Sequence, residues 1–425
     1  MTMRQIRLAV ALAAALAAAA TAPTASAVAR AAAPQQPSAA TCHRVVIRGQ
    51  AGCLEIVPAR GAALTAGQRA AEIAGINSRI SAAYADSPAA ARPATPGSFP
   101  ANCAGAVNPS VVTYPDRFDS CSATAYNALV VSGGTTIGTA PLTVLQWTSD
   151  YAAAFLSPGT WAHGVDVTVG TETGVLAAGV SLSFASLCAG ASSSLCSVQA
   201  TSGTQPATYT SNSETTVIYT ETDNGPSNTS LNAVTTDTSH LGILWTFPYA
   251  GLVYTWTDNG TYTSTGTGLA GRCDSYQGIY SGPNSMATAC VDEQYIPTVT
   301  YSAIANPNVA DVADHVYTAQ GALPSHWGVP SYGNWLSRDT SATDQLNNRN
   351  TACAGVLPSC DEFPLASTYQ GAYFSAVGDW SAVTVSVTAN NSQGGITSAF
   401  FTTNRIIDGD KFWVLAILAN GSASW

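Results

Sequence analysis

Two adjacent carboxylates, Asp361 and Glu362, follow directly after Cys360 near the C-terminal end of the chain. Amide side chains come farther along, at Asn391 and Gln393. Carboxylate and amide oxygens can bind a hard divalent cation, and a carboxylate can also accept a proton from water. No other stretch of the sequence gathers so many polar groups in so few residues. This stretch is therefore the candidate site for chemistry.

The local backbone should separate the two carboxylates. Pro364 disfavours helix at Phe363, so we expect Asp361 and Glu362 to lie on a short extended segment. Adjacent side chains on an extended backbone point to opposite faces. The two carboxylates are thus not expected to form one chelate, and one of them should face the site.

The segments after the carboxylates should position the amides. Alternating valines predict a strand from Trp380 to Thr388. Apolar spacing then predicts a helix after Asn391, where this asparagine could act in the site or simply cap the helix. Asp408 and Asp410 flank a predicted Asp-Gly hairpin turn and are expected to be turn residues.

Two histidines lie upstream of this stretch. His315 falls in a helix predicted from Asp314 to Gln320, and His326 falls in the loop that follows. Either could contact a phosphate, but a surface position without a role is the expectation for both.

The chain has 425 residues, which predicts two domains. Residues 1–27 have the pattern of an export signal: arginines precede an Ala-rich apolar run, and small residues follow for cleavage. Residues 28–100 are rich in Ala and Pro and predict a linker or pro-region. No later stretch reaches roughly 18 apolar residues, so we predict a secreted protein without a membrane span.

Residues 101–300 predict a β-rich module. Short alternating apolar runs are separated by Gly, Asn and Asp turn signals, which is typical of an antiparallel, sandwich-like fold. Its Trp and Tyr residues are compatible with binding to a carbohydrate or a cell-wall component, but no motif in the sequence supports such a ligand. His163 is expected to be a packed core residue. The predicted fold class is thus a mostly β N-terminal module followed by a small α+β C-terminal domain over residues 311–425.

The ten cysteines fall as neighbours in sequence. No CxxC pair is present, so five local disulfides are a simpler expectation than a zinc site, although the connectivity stays open. A bond between Cys353 and Cys360 would hold the two carboxylates in place. The neighbouring pairs are Cys42/Cys53, Cys103/Cys121, Cys188/Cys196, Cys273/Cys290 and Cys353/Cys360.

The charge distribution excludes one class of function for the middle of the chain. The formal net charge is −10, and no Lys or Arg occurs between Arg117 and Arg272. Binding to a nucleic-acid backbone needs basic side chains that displace counterions. The central region is therefore not expected to bind DNA electrostatically.

The run from Cys360 to Thr368, the later Asn391-x-Gln-Gly-Gly block and the run from Asn404 to Asp410 carry a resemblance. Over residues 311–425 the chain resembles the NucA/NucB deoxyribonuclease family. Members of that family are secreted, divalent-metal-dependent endonucleases that cleave DNA non-specifically, and their small fold is similar to that of the ββα-metal nucleases. The resemblance implies DNA as partner and Mg²⁺ or Mn²⁺ as cofactor. We expect a monomer.

The resemblance also implies roles for individual residues. Asp361 would be the general base that activates water, or a ligand of the metal. Glu362 would be its partner or an alternative ligand, and Asn391 would hold the metal or position Asp361. Gln393 and Arg405 would contact the scissile phosphate. Phosphodiester hydrolysis needs such groups, because a cation must offset developing charge and a base must lie near water.

Some features of the sequence depart from the family pattern. Family members commonly have an acidic residue at the position of Asn390, and the helix from 394 to 404 carries no carboxylate. Asp361 could also simply cap a turn.

The sequence leaves two alternative functions open. One is a non-catalytic secreted binding or adhesion protein with a degenerate nuclease domain, and the other is a secreted RNase or nuclease toxin.

Overall fold

The protein is described by a computed structural model. Its contacts divide the chain into two units, Met1–Gln35 and Gln36–Trp425, and the first lies outside the described residues together with the predicted signal peptide. The described residues are 43–47, 50–59, 67–68, 70–71, 74–78, 99, 112–149, 160–190, 196–200, 207–209, 214–223, 234–249, 252–258, 269–274, 289–355 and 359–425.

Strands dominate the chain up to residue 291. In chain order they are β1 (His43–Ile47), β2 (Gln50–Ala59), β3 (Val112–Thr113), β4 (Asp119–Ser132), β5 (Thr135–Ser149), β6 (Thr160–Val169), β7 (Thr173–Gly174), β8 (Val180–Gly190), β9 (Cys196–Ala200), β10 (Ala207–Tyr209), β11 (Glu214–Asp223), β12 (Val234–Tyr249), β13 (Leu252–Asp258), β14 (Leu269–Asp274) and β15 (Ala289–Val291).

These strands form two antiparallel sheets, which together we call the β-module. One sheet has the order β1-β2-β4-β5-β6-β11-β9, with β3 beside β4 and β7 beside β5. The other has the order β10-β8-β12-β14-β15, with β13 beside β12. The prediction of antiparallel β-structure is confirmed. The β4–β5 pair connects through a tight turn at Gly133 and Gly134, where positive φ values favour glycine.

A buried polar network joins the two sheets. His163 on β6 is fully buried, and its Nδ1 lies 2.7 Å from Oγ of Ser186 on β8 and 3.0 Å from Oε1 of Glu221 on β11. Ser239 on β12 donates to the other oxygen of Glu221 over 2.5 Å. Because buried polar groups need partners, this network fixes how the sheets pack. His163 is the packed core residue that was expected.

The C-terminal part combines three helices with short strands. Its elements are β16 (Thr298–Ser302), α1 (Ala310–Ala322), β17 (Leu336–Ser337), α2 (Ala342–Ala352), β18 (Cys360–Phe363), β19 (Ser381–Thr384), α3 (Val387–Thr403) and β20 (Lys411–Ile417). Strand β20 pairs in parallel with β16 and antiparallel with β17. Strands β18 and β19 form a separate antiparallel pair. The helix predicted from Asp314 to Gln320 is confirmed within α1.

Two local predictions are corrected. The strand expected from Trp380 to Thr388 ends at Thr384, because Ser386 caps α3 by accepting a hydrogen bond from the Ala389 amide over 3.1 Å. Asn391 therefore lies inside the helix and is not its cap. At Asp408–Gly409 a turn is present, with Gly409 at φ 81°, but β20 pairs with β16 and β17 and not with a neighbouring hairpin strand.

Two arginines of the β-module bind the turn that precedes β20. Asp410 accepts from Arg117 and from Arg272, each over 2.5 Å, and both guanidinium groups are buried. Arg405 in turn contacts Asp274 of the β-module, with Nη2 and Oδ1 2.8 Å apart. A buried ion-pair cluster thus joins the β-module to the C-terminal part.

Two of the five expected disulfides are present, Cys273–Cys290 and Cys353–Cys360. The other three pairs include side chains that lie outside the described residues. In the described part of the chain, no helix has the length and apolar character needed to cross a membrane.

Candidate active site

A cleft of about 860 Å³ opens between β18, α2 and α3. Its walls are mainly polar and include amide and hydroxyl groups of α3, two arginines and one carboxylate. It is lined by Arg338, Gln345, Arg349, Cys353, Cys360, Glu362, Leu365, Ala366, Ser367, Asn390, Asn391, Gln393, Gly394, Thr397, Ser398, Phe401 and Thr402.

Strand β18 sends its two carboxylates to opposite faces, as the sequence predicts. Asp361 and Phe363 are buried, whereas Cys360 and Glu362 are partly exposed on the other face. Glu362 lines the cleft, and Asp361 is turned toward α1. The carboxylate that faces the amide-bearing helix is therefore that of Glu362.

Glu362 has unusual electrostatics for an acidic side chain. Burial raises the pKa of Glu362 from 4.5 to about 7, and the negative charge of Asp361 adds to this increase. Arg349 opposes the shift, with its Nε 3.9 Å from Oε1 of Glu362. A carboxylate with a pKa near neutrality can both accept and release a proton at physiological pH, which suits acid–base chemistry.

Helix α3 brings three amide side chains to the cleft. Asn390 donates to Oγ of Ser359 over 3.0 Å and to the Cys360 carbonyl over 3.1 Å, so it ties the helix to the start of β18. Asn391 is exposed at the cleft. Gln393 is buried, and its Nε2 has no hydrogen-bond partner among the described residues. An unpartnered buried donor in a cleft wall is costly unless a ligand or water binds it.

The buried carboxylate of Asp361 is held by His315, for which the sequence predicts a surface position without a role. His315 Nδ1 lies 2.7 Å from Oδ2 of Asp361, and His315 Nε2 lies 3.0 Å from Oγ of Ser381 on β19. The expected surface position is wrong, because His315 is only 6% exposed. Helical periodicity could have shown this, since His315 shares the buried face of α1 with Val312 and Ala319.

The other histidine has a local structural role. His326 is partly buried and stacks on Tyr332 with ring centroids 4.0 Å apart. Its Nδ1 lies 2.7 Å from the Gln320 carbonyl oxygen. His326 thus stabilises the loop after α1, and it is not among the residues that line the cleft.

We predict that His315→Leu lowers the free energy of unfolding by about 3 kcal/mol, because it leaves the buried Asp361 carboxylate without its partner. Urea denaturation measures this loss. The double variant His315→Leu/Asp361→Leu should recover most of it, since an apolar pair carries no buried charge. Equal stability of wild type and His315→Leu would show that the contact contributes nothing.

Every residue that lines the cleft falls between positions 338 and 402. Residues 335–415 match the family model for Deoxyribonuclease NucA/NucB. The match confirms the resemblance and includes α2, β18, β19 and α3; we call this segment the NucA/NucB region. His315 and the β-module lie outside it. Comparison with curated proteins gave no match.

Arg405, which the resemblance predicts to contact the scissile phosphate, lies away from the cleft. Arg405 is 2% exposed, and its guanidinium contacts the Asp274 side chain and carbonyl oxygen of the β-module. The arginines that line the cleft are instead Arg338 and Arg349. Arg338 donates to the Ile406 carbonyl oxygen and lies 4.6 Å above the centre of the Phe401 ring.

The cleft of the NucA/NucB region contains few groups that could bind a metal ion. In the described part of the chain, one group of three potential ligands lies within 4.8 Å: Cys353, Cys360 and Glu362. The two cysteines form a disulfide and offer no thiolate. What remains is one carboxylate in a cleft that is also lined by amide side chains, a hard oxygen donor set that suits Mg²⁺ or Mn²⁺ and not zinc.

The Cys353–Cys360 disulfide connects the end of α2 to β18 beside Glu362. We predict that Cys353→Ser/Cys360→Ser lowers the free energy of unfolding by about 2–3 kcal/mol, because the unfolded chain gains loop entropy. Thermal denaturation of the oxidised wild type and the variant provides the measurement. Dithiothreitol should destabilise the wild type more than the variant, which lacks this bond. If the variant and the wild type unfold alike, the bond is not a stabilising element.

Proposed function

We propose that this protein is a secreted, metal-dependent endonuclease that hydrolyses phosphodiester bonds of extracellular DNA without sequence preference. The observation that carries this proposal is that the segment matching the deoxyribonuclease family is the segment that builds the polar cleft. The strand–strand–helix order of β18, β19 and α3 is compatible with a ββα-metal type of nuclease fold. The cystines suit an oxidising compartment.

In the proposed reaction, Glu362 accepts the proton of the attacking water. Its carboxylate lines the cleft, where one oxygen can accept the proton while the other is available to a cation. The water oxygen forms a bond to phosphorus while the bond from phosphorus to the leaving oxygen breaks, and the leaving oxygen takes up a proton from solvent water to become a hydroxyl group. Arg338 and Arg349 provide positive charge beside the phosphate.

The buried pair behind the strand supports this role. Asp361 raises the pKa of Glu362 through its negative charge, and His315 fixes the Asp361 carboxylate by hydrogen bonding. The resemblance assigns the base or ligand role to Asp361, whereas the geometry favours Glu362. In this proposal Asp361 positions and tunes the carboxylate that meets the substrate.

The donor groups of the cleft fit a divalent cation. One oxygen of Glu362 and the amide oxygen of Asn391 would hold it, while Gln393 Nε2 would donate to a phosphate oxygen. Mg²⁺ commonly needs only one or two carboxylates together with waters and substrate phosphates. When bound, such an ion neutralises charge on the phosphate and acidifies water. Family members commonly have an acidic residue at the position of Asn390. Because this chain has an amide there, the cleft offers few charged ligands to the cation.

A plasmid-nicking assay with the purified full chain tests the proposal. Supercoiled plasmid should be nicked in Mg²⁺ or Mn²⁺ and should stay intact in EDTA. Glu362→Gln should abolish nicking, whereas Asn306→Ala, a change in the loop after β16, should not. If both supercoiled plasmid and single-stranded circular DNA stay intact with both metals, the proposal is overturned.

The second candidate is a non-catalytic binding protein that retains the nuclease fold. The observation that favours it is the single carboxylate in the cleft. Binding of an oligonucleotide without nicking in any metal would support this candidate. Preferential cleavage of RNA over DNA in the same assay would instead point to an RNase.

A further inference from the structure

The NucA/NucB region has little positive charge with which to attract DNA. Within residues 335–415 its four basic residues are outnumbered by seven acidic ones. Phosphate contacts normally supply most of the non-specific affinity of DNA-binding proteins. The basic residues are Arg338, Arg349, Arg405 and Lys411, and the acidic ones are Asp339, Asp344, Asp361, Glu362, Asp379, Asp408 and Asp410.

Most of these basic side chains are already engaged within the protein. Arg405 is buried against Asp274, and Lys411 lies 3.9 Å above the centre of the Trp335 ring. Arg338 contacts the Ile406 carbonyl group. The Arg349 side chain is 60% exposed beside the cleft. The positive charge available at the cleft is therefore small, and an attraction other than charge would strengthen the binding of a nucleic acid here.

Three exposed aromatic side chains on the loop that follows Ser367 offer such an attraction. Tyr369, Tyr373 and Phe374 are 42%, 57% and 46% exposed, and we call them the aromatic shelf. The rings of Tyr373 and Phe374 lie 5.2 Å apart at an angle of 78°, so they present faces in different directions. Grouped exposed apolar side chains commonly mark binding sites.

The aromatic shelf is connected to the cleft wall. The chain passes from Ser367 in the cleft wall to Tyr369 within two residues. The Tyr373 amide donates over 3.0 Å to Oδ1 of Asn348, whose neighbour Arg349 lines the cleft. The shelf thus lies on the loop that continues from the cleft wall and is tied to helix α2, which contributes Arg349 to that wall.

Close packing holds the shelf in place. Asn348 is fully buried and donates to the carbonyl oxygens of Ala366 and Thr368 over 2.8 and 3.2 Å. A Cβ atom at Gly371 would lie 2.2 Å from Cγ of Asn348, so only glycine allows the loop to approach this closely. A preorganised shelf loses little entropy when a ligand binds.

We propose that the aromatic shelf stacks with nucleobases of an unpaired strand, which makes single-stranded DNA the preferred substrate. This inference rests on the proposed nuclease function for the choice of ligand. Stacking of a base on an aromatic side chain strengthens binding about five- to a hundredfold and does not depend on sequence. In a duplex the bases stack on one another, and their faces are not available to the shelf.

Fluorescence anisotropy with the full chain tests this inference separately from cleavage. The probes are a labelled phosphorothioate oligothymidylate, an abasic oligonucleotide of the same length, and a duplex of that length. We expect the oligothymidylate to bind at least about tenfold more tightly than the other two. Tyr373→Leu/Phe374→Leu should remove this preference and leave affinity for the abasic probe unchanged.

Two further variants separate stacking from apolar contact. Tyr373→Phe keeps a ring face and should bind as the wild type does. Val377→Ala changes a fully exposed apolar side chain of the same loop that has no ring, and should also have no effect. Equal affinity of the wild type for oligothymidylate and abasic DNA would overturn the inference, as would wild-type binding by the double leucine variant.

The outcomes of the two assays are independent. Shelf-dependent binding with both the plasmid and single-stranded circular DNA intact would retain the inference and reject the proposed nuclease reaction. Plasmid nicking without a shelf-dependent preference would retain the nuclease and reject the shelf as a base-binding site.

Discussion

Replacing Glu362 with glutamine is expected to raise the free energy of unfolding by about 2–3 kcal/mol near pH 8 and to lower DNA cleavage at least about a hundredfold. A gain in stability with a loss of activity is typical of a functional carboxylate held in an unfavourable environment. A purely structural carboxylate would not combine the two effects.

The sign of the stability change follows from the direction of the pKa shift. Burial and the charge of Asp361 raise the pKa of Glu362 from 4.5 to about 7. Between these values the folded protein keeps a proton that the unfolded chain has released. The stabilisation from this group is therefore complete below pH 4.5 and is lost as the pH rises through about 7. Glutamine does not titrate, so the variant should not show this loss.

Urea denaturation of the wild type and Glu362→Gln across this pH range provides the measurement. Glu293→Gln is a matched control, because Glu293 is exposed in the segment between β15 and β16. The control should retain wild-type activity and pH dependence. Added Mg²⁺ should stabilise the wild type but not Glu362→Gln, since a cation favours the ionised carboxylate. Wild-type cleavage by Glu362→Gln would remove Glu362 from the reaction.

The second large effect is expected at the ion-pair cluster between the β-module and the NucA/NucB region. Asp410→Asn should lower the free energy of unfolding by about 3–5 kcal/mol, because Arg117 and Arg272 would lose a carboxylate that both contact while buried. An amide has no negative charge and cannot compensate two guanidinium groups. Urea denaturation of the full chain measures the loss.

Asp408→Asn is the matched control for this prediction. Asp408 lies in the same turn but is exposed, where it accepts from Thr340 and Tyr369. Hydrogen bonds at exposed positions contribute little, so the control should stay within about 1 kcal/mol of the wild type. Similar losses in the two variants would contradict the assigned importance of the buried cluster.

Local patterns in the sequence predicted part of the candidate site. Asp361 and Glu362 point to opposite faces because side chains alternate on a strand. The choice between the two faces depends on packing: His315, far away in sequence, binds Asp361 and leaves Glu362 at the cleft. The strand predicted to Thr388 was too long, because alternating valines do not reveal that Ser386 caps a helix.

The sequence by itself predicted the antiparallel β-structure, disulfides between cysteines that are neighbours in sequence, and the resemblance of the C-terminal region to a nuclease family. The first two depend on residues close together in the chain and the third on short motifs in a fixed order, whereas the structure was needed to show the Cys273–Cys290 and Cys353–Cys360 bonds. Only the tertiary structure decided that Arg405 pairs with Asp274 and not with the cleft, and that Asp410 binds two arginines of the β-module. Such partners are chosen by the packing of distant segments, because the buried charges there must be paired.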